Sequence, residues 1–135
     1  MSNNHASAKR IAVNLESQTI QAYEGEVIVF AFDCVTGSKD HPTEPGHFRV
    51  LDKSPNHVSR KYGVPMHYSL FFTRDGKALH QYHGVVPLEI VRLLKEHVTD
   101  YLGSHGCVRL VEHDAKALYD WAECGTSVHV EGHLT

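Results

Sequence analysis

Nowhere in this 135-residue chain does an apolar run approach the length of a membrane-spanning helix, which argues against a membrane protein. There is no dense run of Lys and Arg either, which with a formal net charge of −3 argues against a nucleic acid as partner. Cysteine is scarce. Cys34, Cys107 and Cys124 make an odd set of 3, which argues against a disulfide framework and for a reducing compartment. The zinc spacings C-x-x-C and H-E-x-x-H are both absent, as are internal repeats and low-complexity tracts. Residues Met1 to Arg10 are polar and lack the apolar stretch of a secretory signal. If Met1 is the natural start, the expected location is the cytoplasm.

What is present is ordinary for a soluble globular protein: 41% hydrophobic and 21% charged residues. This length buries a core unaided, so a single domain over residues 9–135 is expected behind a polar tail of residues 1–8. Ile11 to Leu15, Gln18 to Tyr23 and Val27 to Phe32 read as an antiparallel meander, with Glu24-Gly25-Glu26 as one of its turns. Residues 37–46 read as loop, Phe48 to Leu51 as strand, and residues 52–65, with Pro55 and Pro65, as irregular. Ser69 to Thr73 and Lys77 to Tyr82 form a hairpin about Arg74-Asp75-Gly76. Helical spacing occurs twice. Leu88, Val91, Leu94 and Val98 follow a first-turn Pro87, and Ala115, Leu118, Tyr119 and Ala122 lie in a stretch from Glu112 to Glu123. Thr126 to Glu131 is a last strand. The expected class is mostly β (α+β).

The chemistry concentrates in Ser104-His105-Gly106-Cys107-Val108-Arg109-Leu110. Thiolate is the reactive form of cysteine, and nearby positive charge or exposed backbone N–H groups favour it. Gly106 allows a tight turn that brings the sulfur of Cys107 to an exposed corner. The blander alternative is a strand-entry turn with a buried cysteine. Cys34, in an apolar run, and Cys124, before a Gly-Thr turn, read as small buried hydrophobes.

The motif SHGCVRL resembles the active-site signature of the L,D-transpeptidase (YkuD-type) catalytic domain family. Residues 35–50, VTGSKDHPTEPGHFRV, are similar to its Thr-Gly … Pro-Thr-x-x-Gly-x-Phe segment. Residues 66–80, MHYSLFFTRDGKALH, are similar to the hairpin ending on its catalytic histidine, and residues 10–30 to its opening hairpin. The resemblance runs from Lys9 to Val130. It implies a β-sandwich-like or partly closed sheet with two helices, one lying between the catalytic histidine region and SHGC. That connection, residues 87–102, is longer than in many relatives and reads either as a lid or as a helix packed over a sheet edge.

The resemblance also implies roles. Cys107 is the nucleophile. His80 and His83 compete as its base: the ungapped match over residues 66–80 favours His80, the His83-Gly84 pair favours His83. In the family the base is oriented chiefly by a backbone carbonyl. The N–H groups of Gly106 and Cys107 are candidates for the oxyanion hole. Arg109 either binds a substrate carboxylate through its planar fork or holds the turn through an ion pair. Ser104 and His105 order the turn, and Tyr68 lines the donor pocket or belongs to the core. The implied substrate is a murein tetrapeptide losing its terminal D-Ala through a thioester. Water as acceptor makes an L,D-carboxypeptidase of peptidoglycan recycling, the favoured reading. A second stem as acceptor makes an L,D-transpeptidase forming 3→3 cross-links. Acylation of Cys107 by β-lactams is expected for some classes of the family. No cofactor is implied.

Two rival classes stand beside this one. The chain has 12 histidines, and His80, His83, His105 and Cys107 are of zinc-ligand type, though without zinc-site spacing. A metalloenzyme would lose activity to a chelator; a thiol enzyme would keep it. A non-catalytic stem-peptide-binding module would survive alkylation of Cys107.

Overall fold

A computed structural model describes residues 8–38, 41–60, 63–94 and 106–134. Two sheets share one core. The first contains β1 (Lys9–Asn14), β2 (Thr19–Glu24), β3 (Val27–Asp33), β4 (Gly46–Arg49) and β9 (Ser127–Glu131), in the order β3-β2-β1-β9-β4. The second contains β5 (Asp52–Val58), β6 (Pro65–Phe71), β7 (Ala78–Gln81) and β8 (Val108–Leu110), in that order. Two helices complete the described fold, α1 (Leu88–Leu94) and α2 (Glu112–Trp121). The class is mostly β with two helices, as the sequence implies. No helix among the described residues is long and apolar enough to cross a membrane.

Alternation builds the core. Ile11 and Val13 of β1, Ile20 and Ala22 of β2, and Val128 and Val130 of β9 turn inward. They meet Leu70, Leu79, Val108 and Leu110 of the second sheet and Ala115, Leu118 and Ala122 of the α2 region. α2 carries Glu112 and Asp114 in its first turn, where acidic side chains complement the helix dipole.

Two features depart from the sequence reading. Residues 52–58, expected to be irregular, form the edge strand β5 on β6. Proline is tolerated on an edge strand because the ladder on its outer side needs no donor. The pairing passes from Ser54↔Ser69 to Asn56↔His67, stepping over Pro55 and over Tyr68, whose φ is 55°. The strands are also not all antiparallel: β1 runs parallel to β9, and β7 parallel to β8. The β7–β8 crossover contains α1, whose Leu88 and Val91 are buried with Val35 in a second small cluster that Tyr82 and Val86 join. The described part of this insertion is thus a packed helix. Val98, Gly103, Ser104 and His105 lie outside the described residues.

Candidate active site

Parallel pairing of β7 with β8 assembles the site. Leu79 and Val108 are register partners and both enter the main core. His80 and Arg109, the next pair, therefore point to the opposite face of the sheet. Cys107 immediately precedes β8 and shares the parity of Arg109. The Ala78 N–H donates to its Sγ at 3.4 Å, anchoring the sulfur beside β7. Cys107, His80 and Arg109 thus gather on one face at the sheet edge.

His80 is 6% exposed, and its Nδ1 lies 2.7 Å from the Gln81 carbonyl oxygen. A carbonyl can only accept, so Nδ1 carries the proton and Nε2 is the basic nitrogen. Burial holds the imidazole at about 4, below its usual 6.5, against the opposing pull of the Gln81 carbonyl; nearby Arg109, His83 and His57 depress it further. At neutral pH it is an uncharged base. His83 sits beyond the end of β7, exposed, its ring edge-on to His67 at 4.4 Å. Because the strand stops at Gln81, strand parity does not set the direction of His83.

Cys107 is partly buried, and burial raises its thiol above the usual cysteine value. The Ala78 N–H, Lys77 and Arg109 work in the other direction. In the resting site the pair is therefore thiol and neutral imidazole.

Gly106 adopts φ +105°, and a Cβ there would meet Lys77 Cε at 2.2 Å. The φ is what requires glycine, since the flexible Lys77 side chain can swing aside from a Cβ. Its carbonyl accepts a hydrogen bond from Thr43 Oγ1 at 2.9 Å, and the same hydroxyl accepts the Gly37 N–H at 2.9 Å. Gly37 itself approaches so closely that its own Cβ would stand 3.0 Å from the Gly106 backbone. One step back, the buried Gln18 amide holds Thr36: its Nε2 donates to Thr36 Oγ1 at 2.7 Å and its Oε1 accepts the Thr36 N–H at 3.0 Å. Thr43 and Gln18 were not among the site residues expected from sequence. The Thr-Gly and Pro-Thr segments quoted above contained the signal for Thr43; Gln18, one polar residue among Glu16, Ser17 and Thr19, had none.

Arg109 is 8% exposed and exchanges two backbone hydrogen bonds with Val35, each 2.9 Å. Its guanidinium carbon lies 5.7 Å from the Tyr82 ring centroid. Burial lowers its pKa to about 10, so it remains cationic at neutral pH. The Tyr68 ring packs against the main core and against Tyr119 of α2, 5.7 Å between centroids. Cys34 is buried in the core, as expected, but Cys124 is exposed, because it lies in the turn after α2 and not on its packed side. No group of three metal-type ligands occurs among the described residues.

Residues 8–130 match the family model for the L,D-transpeptidase catalytic domain (YkuD). The chain belongs to this family. The L,D-transpeptidase of Stackebrandtia nassauensis is similar over 94% of this chain, with a TM-score of 0.79 and 30% identity. The Ldtfm–avibactam carbamoyl enzyme is similar over 93%, with a TM-score of 0.77 and 26% identity. An L,D-transpeptidase from Mycobacterium smegmatis shares the fold at 18% identity over 93%, with a TM-score of 0.76. This YkuD chain spans 57%, 49% and 59% of those three chains, respectively. No match was found among curated proteins.

Proposed function

We propose that the chain is a cysteine-dependent L,D-carboxypeptidase that removes the terminal D-Ala of murein tetrapeptides. The observation carrying this reading is the shared face of Cys107 and His80, with the Gln81 carbonyl fixing the His80 tautomer. His80 Nε2 takes the thiol proton as Sγ attacks the carbonyl between the diamino acid at stem position three and D-Ala. The N–H groups of Gly106 and Cys107 receive the developing oxyanion. The proton passes from His80 to the departing nitrogen, the C–N bond breaks, and D-Ala leaves a thioester behind. Water, deprotonated by His80, then cleaves the thioester to tripeptide and free thiol.

Transpeptidation is the second reading, and the likeness to L,D-transpeptidase structures favours it. It shares the first half-reaction and needs in addition a seat for a second stem. Hydrolysis needs only the thiol, the imidazole and water. The reading includes a cytoplasmic location, where soluble murein fragments would be the substrate, and acylation of Cys107 by β-lactams.

Mass spectrometry of tetrapeptide incubations, with and without an acceptor stem, tests the choice. Tripeptide plus D-Ala in both mixtures supports the carboxypeptidase. Cross-linked dimer as the main product when acceptor is present overturns it in favour of the transpeptidase.

A further inference from the structure

The hairpin turn between β6 and β7 places a second cation beside the thiol. Gly76, at φ +93°, closes the turn, and the Lys77 N–H donates to Thr73 Oγ1 at 2.9 Å. The Lys77 stem then crosses the nucleophile turn: Cε and Cδ would stand 2.2 and 2.8 Å from a Cβ on Gly106. Its Nζ donates to Asp75 Oδ2 at 2.7 Å, with the Lys77 side chain 23% exposed and that of Asp75 65% exposed. Lys77 is also the charge acting most strongly on the Cys107 thiol, ahead of Arg109. The two cations differ in access. Arg109 is buried against Tyr82, whereas the Lys77 ammonium reaches solvent and has three donors, one of which serves Asp75.

We infer that Lys77 determines specificity at this site by receiving the free carboxylate of the D-residue that leaves. This rests on the proposed function for the identity of that residue. The carboxylate nearest the scissile bond in a stem tetrapeptide is that of the terminal residue, about 4 Å from the attacked carbon by covalent geometry. The diamino acid's own side-chain carboxylate lies at the end of a longer tether. A cation whose stem touches the residue preceding Cys107 is suited to the nearer one. The site would accept a chain end and discriminate against an interior bond, where the same position is a neutral amide. Asp75 holds the ammonium in place and is the anion the substrate competes with.

Alkylation of Cys107 by iodoacetate and by iodoacetamide, followed by peptide mapping, tests the charge recognition without any peptide substrate. Exposed Cys124 in the same molecule is the internal reference. Any general change in thiolate fraction cancels in the ratio of the two reagents. The iodoacetate preference at Cys107 is expected to exceed that at Cys124 by about tenfold, the scale of one charge-assisted hydrogen bond. It should fall to the Cys124 value in Lys77→Met, persist in Lys77→Arg and rise in Asp75→Asn. An unchanged ratio in Lys77→Met would overturn the inference. In parallel, the tetrapeptide is compared with its C-terminal carboxamide. Lys77→Met should raise KM for the acid about tenfold more than for the amide, while the lost charge beside the thiol lowers kcat for both alike. Turnover of both forms alike by the unaltered chain would sink the inference while leaving the proposed function standing. A Lys77-dependent iodoacetate preference with no tetrapeptide cleavage would do the reverse.

Discussion

His80 and Cys107 are both pushed toward their neutral forms by burial, and this shapes how the site responds to pH. A histidine at about 4 in the folded chain and near 6.5 when unfolded leaves the unfolded state binding more protons between those values. Stability is therefore expected to fall as pH drops from about 6.5 to 4, by about 3 kcal/mol at the acid end. His80→Asn should flatten that part of a plot of Tm against pH; an unchanged slope would mean that His80 is not buried as a neutral base. For Cys107, the raised thiol pKa sets iodoacetamide alkylation of the resting site to climb with pH beyond the range of an ordinary cysteine. An inflection well below that range would indicate a preformed thiolate–imidazolium pair. Cys107 stood out in the sequence as the candidate nucleophile, because Gly before Cys and Arg after it form a local pattern. Spacing did not separate His80 from His83, since both fit a motif; in the fold His80 lies within β7 and is buried, whereas His83 lies beyond it and is exposed.

At the scale of the element, the turn at Gly106 is held by side chains distant in sequence. Thr43 bridges Gly37 and Gly106, so Thr43→Val removes both of these buried hydrogen bonds, costing about 1–3 kcal/mol. If Thr43 positions the nucleophile, Thr43→Val should also lower kcat for D-Ala release and alter the pH profile of Cys107 alkylation, with Thr43→Ser restoring both. A loss of Tm with an unaltered profile would leave Thr43 a purely structural clamp. Gly106→Ala should be more damaging, because a Cβ is strained at φ +105°. Element identity was largely readable from period. β5 was not: two prolines signalled irregularity, and only the tertiary context of a sheet edge makes Pro55 acceptable in a strand. Tyr68 was ambiguous for a related reason, since its left-handed backbone breaks the alternation that would have told its face.

For the whole molecule, the site depends on two sheets packing through one core. Leu79 and Val108 sit behind His80 and Cys107, fully buried, and fix the distance between β7 and β8. Leu79→Ala is expected to destabilise the fold by about 2–5 kcal/mol, read by thermal or urea unfolding. An effect below about 1 kcal/mol would mean that the core does not brace the site as described. The parallel pairs β1–β9 and β7–β8 were beyond the sequence pattern, because alternation gives the face of a strand but neither its neighbour nor its direction. The family resemblance carried the sheet architecture and the two helices, but not these parallel pairs.

The most direct test of the thiol mechanism is quantitation of D-Ala released from murein tetrapeptide by the chain and by Cys107→Ala, each with and without a chelator. Stoichiometric tripeptide and D-Ala from the unaltered chain, unaffected by chelation and absent in Cys107→Ala, is the expected result. Release that survives Cys107→Ala, or that a chelator abolishes, would contradict the account.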